Sequence, residues 1–222
     1  MTLRPVSDGS PADWLGERGR PWPRLSLFGP VGFEAYARLR FIPDPTRPGQ
    51  SENDHDGGDD LPRELDQLRT VVEVLRRHTR TPDDAWHCLW DGWGDLHPGA
   101  TVVTTLHDDG RVESLPGEPA FAPDVLGAPT VHHPHRSYHL FRGPLSDLGD
   151  WGAAPIAPDA PRADLVPSFV WPDDRAWCIA YDVDPHWAGI GGTREAVEEL
   201  VALDGVDVVP ADPEEQQPFY DG

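Results

Sequence analysis

Between Phe33 and Phe41 apolar and polar positions alternate, with Phe33, Ala35, Ala37, Leu39 and Phe41 on one side and Glu34, Tyr36, Arg38 and Arg40 on the other. Period two is the mark of a half-buried antiparallel strand. The whole stretch "PWPRLSLFGPVGFEAYARLRFI" therefore reads as two strands about a Gly-Pro turn. From Leu61 the period lengthens: Leu61, Leu65, Leu68, Val72 and Leu75 recur at helical spacing, with Asp60 as N-cap and Arg76, Arg77 and His78 suited to the negative C-terminal end. Pro82 bars its extension.

"AWHCLWDGWG" follows as a strand with Trp86, Cys88 and Trp90 on one face, and "TVVTTLHDDGRVESL" as a hairpin whose Asp109-Gly110 supplies the turn. Residues 116–135 read as loop, "SYHLFRG" as a short strand, "PLSDLGDW" as a helical turn and "GAAPIAPDAPRADLVP" as a connector. The chain closes with a strand at Arg175 to Val183, a helix from Thr193 to Ala202 turning Val197, Leu200 and Val201 inward, and a strand at Val206 to Val209. This order predicts one α+β domain over residues 1–222: a mostly antiparallel sheet with two main helices packed on one face and long Pro/Gly-rich loops. Residues 1–12 and the acidic stretch 44–60 are expected to be flexible.

Composition narrows the chemistry. Of 222 residues 38% are hydrophobic, with nine Trp and seven Phe, enough for a core, while 26 Pro and 22 Gly imply much loop. A net charge of -21 repels a phosphate backbone and argues against nucleic acid. All 18 basic residues are Arg. The absence of Lys removes Schiff-base chemistry and a P-loop. No run fits a signal peptide or a membrane span, so a cytoplasmic location away from the membrane is expected. In that compartment Cys88 and Cys178 read as buried hydrophobes and not as a disulfide.

One segment carries candidate chemistry: "AWCIAYDVDPHWAGIGGTREAVEEL". Trp177, Ile179, Tyr181 and Val183 share one side of its strand, and Cys178, Ala180 and Asp182 the other, where small side chains admit a helix. Asp182 and Asp184 point the same way, about 7 Å apart. Two readings follow. In the first, Asp182, Asp184 and His186 ligate a divalent metal, the backbone at Gly191 and Gly192 approaches an anion, and Arg175 and Trp187 complete a ligand site. In the second, the glycines serve a tight strand-to-helix turn, Thr193 caps the helix, and the acids are solvated or paired with Arg175 or Arg194. The dinucleotide fingerprint is missing, and no residue is assigned a catalytic role. The cluster His132, His133, His135 and His139 is dense enough for zinc, but it straddles a Pro without the spacing of a structural site.

"FGPVGFEAYARLRFIPDP", "SYHLFRGPL" and above all "FVWPDDRAWCIAYDVDPHWAGIGG" resemble a family of uncharacterised actinobacterial cytosolic proteins, across the chain from about Trp14 to Tyr220. The resemblance implies a bacterial cytosolic protein of unassigned activity and carries no catalytic residues over. The leading functional expectation is an acidic binding protein for a basic or hydrophobic protein partner, in the manner of an immunity protein. The rival is a metal-dependent enzyme or small-ligand binder built on Asp182, Asp184, His186 and the glycine turn.

Overall fold

The computed structural model describes residues 2–17, 19–54, 61–97, 102–107, 109–155 and 164–221. Among them nine strands form one sheet in which every pairing is antiparallel. In chain order its strands are β1 (Arg4–Val6), β2 (Ala35–Arg40), β3 (Ala85–Trp90), β6 (Val131–His133), β7 (Arg136–Gly143), β8 (Phe169–Pro172), β9 (Cys178–Ala180), β10 (Trp187–Gly192) and β11 (Asp207–Pro210). Across the sheet they run β1-β7-β3-β8-β9-β10-β2-β11, with β6 also on β7. The strands β4 (Val102–Leu106) and β5 (Val112–Pro116) form a separate ribbon, turned at Asp109-Gly110 as expected. Both ends of the main sheet are short strands carrying a Pro, which blunts them against further pairing.

The register sorts the side chains into two faces. Phe141, His87, Val170, Ile179, Ile190 and Ala37 are successive neighbours in one row, and Leu140, Cys88, Phe169, Ala180, Gly189 and Arg38 in the next. Over β2, β9, β10 and β11 the first face is covered by α2 (Glu64–Leu75) and α4 (Arg194–Val201), which bury Leu68, Val71, Leu75, Val197 and Leu200. Trp177 lies wholly inside this layer and donates its indole N–H to the Leu75 carbonyl at 3.0 Å. The Tyr181 hydroxyl donates to Glu64 at 2.9 Å, so the two ends of α2 are both tied to the segment around β9.

The opposite face is covered by α1 (Trp22–Phe28) and the 3-10 turn Ser10–Leu15, which bring Leu25, Ala12, Trp14 and Leu15 onto Cys88, Phe169, Cys178 and Ala180. The small side chains of Cys178 and Ala180 do admit a helix, and it is α1. Here the expected architecture is corrected. The fold is dominated by its sheet: α2 and α4 cover only part of one face, and the third helix of seven residues or more, α1, packs on the other.

The reason lies in two misread segments. "WPRLSLF" was expected as a strand, but Pro23 near the N-terminus pre-sets helical backbone, and Leu25 and Phe28 at i and i+3 face inward. "GIGG" at 189–192 was expected as a turn but is part of β10, buried along its length between β9 and β2. Its glycines make room: a Cβ on Gly189 would sit 2.0 Å from the Leu27 carbonyl oxygen, and one on Gly191 2.3 Å from the Phe33 ring.

Smaller differences have similar causes. The helix α2 starts at Glu64 after Arg63, and Leu61 is exposed. The loop expected at 116–135 holds β6 and α3 (Pro123–Leu126). Within the N-terminal twelve residues β1 pairs with β7, and Leu3 and Ala12 are buried. The expected cap Asp60, residues 55–60 of the acidic stretch and 156–163 of the connector lie outside the described residues. Among the described residues no helix is long and apolar enough to cross a membrane.

Candidate functional site

The residues singled out in sequence separate in space. The Arg136 guanidinium occupies the position between the two aspartates, one nitrogen donating to Asp182 at 2.8 Å and to Asp184 at 3.2 Å. It also lies 4.3 Å above the Trp90 ring, so a fixed cation already occupies the place where a metal would sit. His186 turns elsewhere, its Nε2 3.0 Å from Asp44, with its side chain 1% exposed. Among the described residues no group of three or more His, Cys, Asp or Glu side chains converges as a ligand set.

Asp44 instead belongs to a charge network. Arg38 donates two bonds to it at 2.7 and 2.9 Å, Arg40 a third at 2.9 Å, and Arg40 reaches Asp207 at 2.8 Å. Burial pushes the Asp44 carboxyl up, but the bonds from Arg38, His186 and Arg40 outweigh it and hold it below the usual carboxylate range. Burial lowers the His186 pKa, against the pull of Asp44.

The other predicted ligand residues are packing residues. Gly191 and Gly192 are buried inside β10. Trp187 is fully buried between Phe28 and Phe219, under the Arg38 guanidinium. Arg175 is exposed in the β8–β9 turn at φ 56 and lies over the Trp14 ring. Thr193 does cap α4, accepting from the Ala196 N–H at 3.2 Å. The histidine cluster disperses: His132 bonds Ser137, His133 stacks on Trp22, His135 takes the turn at φ 76, and His139 meets Asp91. Cys88 and Cys178 are free and buried, and burial raises both thiol pKa values.

What the structure does build is a cavity of about 1080 Å³ over the β3–β7 end of the sheet, on the face that carries Phe141. Its floor is aromatic: Trp151 meets Phe141 edge-on at 5.0 Å and Phe121 lies 5.7 Å from the same ring. Irregular chain supplies the walls. After β3 a 3-10 turn at Gly94–Leu96 buries Leu96, and the Asp95 carbonyl accepts from Ala120 at 2.8 Å. Ala154 in turn donates to the Ala120 carbonyl at 2.7 Å, which threads the 118–122 segment between the other two and presents Val125 and Leu126 of α3.

Among the described residues the polar side chains lining this cavity are Asp91, His97 and Glu118. His139 lies two residues before Phe141 on β7, hence on the same face, and its Nε2 is 2.9 Å from Asp91 Oδ1. His97 Nε2 bonds the Asp91 carbonyl. Beyond Asp91 and His97 the cavity adjoins a polar hollow of about 460 Å³ bordered by Trp90, His133, His135 and Arg136. Beneath the floor, His87 is fully buried, and neither ring nitrogen has a hydrogen-bond partner. Burial drives its pKa down to about 4, opposed by the backbone of Gly143, which stands outside hydrogen-bonding geometry.

Sequence reasoning missed this site because its walls lie where no period repeats. A faint signal was present: Phe121, Val125 and Leu126 are large apolar residues inside a segment otherwise read as loop. Compared with protein-family models, curated proteins and solved structures, the chain matches none.

Proposed function

We propose that this chain is a binding protein for a small molecule with an apolar body, seated in the cavity above Phe141. The observation that carries this is the cavity itself. Its volume of about 1080 Å³ is just above the range of roughly 300–1,000 Å³ typical of ligand sites, and a few polar groups converge on an aromatic wall. A cytosolic location and kinship with actinobacterial proteins are part of the same proposal, supported by the sequence pattern.

Titration with an environment-sensitive apolar fluorophore such as an anilinonaphthalene sulfonamide tests it. The expected result is saturable binding that quenches Trp151 and is abolished by Ala122→Trp. Ala122 lines the cavity from an exposed position, so the new ring blocks it without disturbing the core. Binding that survives this substitution, or no saturable binding at all, removes the proposal.

A second reading has its own support. The β4–β5 ribbon leaves Val102, Leu106 and Val112 on one face at 60%, 72% and 63% exposure, on a chain of net charge -21. A ribbon of two strands is marginal alone in water, and an apolar face set in an acidic surface suits a basic protein partner with an apolar patch. Leu106→Asp should abolish capture of such a partner while leaving the cavity's fluorophore binding intact.

A further inference from the structure

We infer that the ligand of the cavity carries a cationic group, an ammonium or amidinium, recognised by Asp91 with Glu118 as the second acid of the lining; this rests on the proposed small-molecule function. Among the described residues the charged side chains that line the cavity are Asp91 and Glu118, and no Arg is among them. The nearest Arg of the adjoining hollow, Arg136, is already bound to Asp182 and Asp184. An anionic head would enter a cavity lined by two acids on a protein of net charge -21, whereas a cation is drawn in by both the local and the overall field.

Asp91 is also oriented, which sets it apart from the many carboxylates of an acidic surface. Its backbone N–H donates to the Ser137 carbonyl at 2.9 Å, and its Oδ1 is held at 2.9 Å by the Nε2 of His139, whose side chain is only 5% exposed on β7, a strand paired on both edges. Oδ2 has no partner among the described residues. A carboxylate fixed through one oxygen to a rigid strand, with the other open at the mouth of an apolar cavity, is pre-arranged to accept from an N–H donor whose carbon skeleton lies on the Phe121–Phe141–Trp151 wall. Glu118 likewise has no partner among the described residues and contributes charge without fixed geometry. A purely structural role for Asp91 would need only the acceptor at Oδ1, and that is separable: Asp91→Asn keeps an acceptor for His139 and removes the charge.

The test uses three probes that share one body: naphthylmethylamine, naphthylmethanol and naphthoic acid, titrated against the full chain by calorimetry and by displacement of the apolar fluorophore. The amine is expected to bind about ten-fold tighter than the alcohol, as befits one charge-assisted hydrogen bond, and the acid weakest. In Asp91→Asn the amine should fall to the level of the alcohol, with the alcohol unchanged, and Glu118→Gln should narrow the gap less. The ratio of amine to alcohol in the unaltered protein needs no variant, and it should shrink as salt is raised. Equal binding of amine and alcohol, or an amine preference that survives Asp91→Asn, overturns the cationic head while leaving the cavity reading in place. Tightest binding by the acid also overturns it and moves the head to the Arg136 hollow. If the fluorophore itself fails to bind, the cavity reading and this inference fall together.

Discussion

The two ends of the sheet are finished in opposite ways. Over β2, β9 and β10 one face is capped by α2 and α4 and the other by α1, and the residues between them are buried almost completely. Over β3 and β7 the face carrying Phe141 is roofed by turns and short segments, and a cavity remains. The difference is one of periodicity. A helix presents a side chain to the sheet every three or four residues and fills the layer evenly, whereas irregular chain touches down where its own hydrogen bonds allow and leaves gaps. Rigid strands beneath a loop-built wall are also the usual setting for a binding site.

That contrast can be broken first at its tightest point. Gly189→Val places carbon where the Leu27 carbonyl and the Phe28 ring already lie, so a loss of roughly 3 kcal/mol or more is expected in chemical denaturation. A loss under about 1 kcal/mol would mean that the filled end has slack. The equivalent intrusion at the other end, Ala122→Trp, should leave the denaturation midpoint nearly unmoved, within about 0.5 kcal/mol.

Acid should separate the two ends next. His87, under the cavity floor, has a folded-state pKa of about 4 against an ordinary value of 6.5. Its depressed pKa means that its contribution is complete above about pH 6.5 and is lost as pH falls toward 4, by about 3 kcal/mol at most. His87→Leu should flatten stability across that window. At the filled end burial also lowers the His186 pKa, though less far than that of His87, and Asp44, depressed in the fold, gives up its contribution only as pH falls below about 4. The cavity end should therefore lose more stability than the filled end as pH falls from about 6.5 to 4, which amide exchange resolved along the chain will show. A greater acid loss at α2 and α4 over that window would reverse the comparison.

The charge network gives a smaller effect. Asp44→Asn leaves Arg38 and Arg40 with a weaker acceptor, and Arg38 is almost fully buried while Asp44 is partly exposed. A cost of about 2 kcal/mol is expected, below that of breaking a wholly buried pair. Leu106→Ser on the ribbon should be smallest, within about 0.5 kcal/mol, because the side chain it replaces is already in water.

Patterns with local causes were legible in the chain. The alternation from Ala35 to Arg40, the helical spacing of Leu65, Leu68, Val72 and Leu75, the Asp109-Gly110 turn and the Thr193 cap each depend on residues a few positions apart, and each forms. The side of the β9 strand that would meet a helix was also readable, since Cys178 and Ala180 are small.

Only the tertiary structure decided where those pieces meet. Three glycines in six residues look like a turn until their neighbours are in place: Gly189 passes beneath α1, Gly191 beneath the Phe33 ring, and Gly192 faces Trp177 and Ala196 on the other side of the strand. Asp182, Asp184 and His186 are neighbours in sequence, yet partners from distant segments, Arg136 and Asp44, draw them apart. The cavity is built the same way, from segments around positions 91, 121, 141 and 151 that have no common period. Propensity and alternation are summed over short windows and so are written along the chain. Charge pairing and the filling of space depend on which distant groups arrive, and that is settled only when the sheet closes.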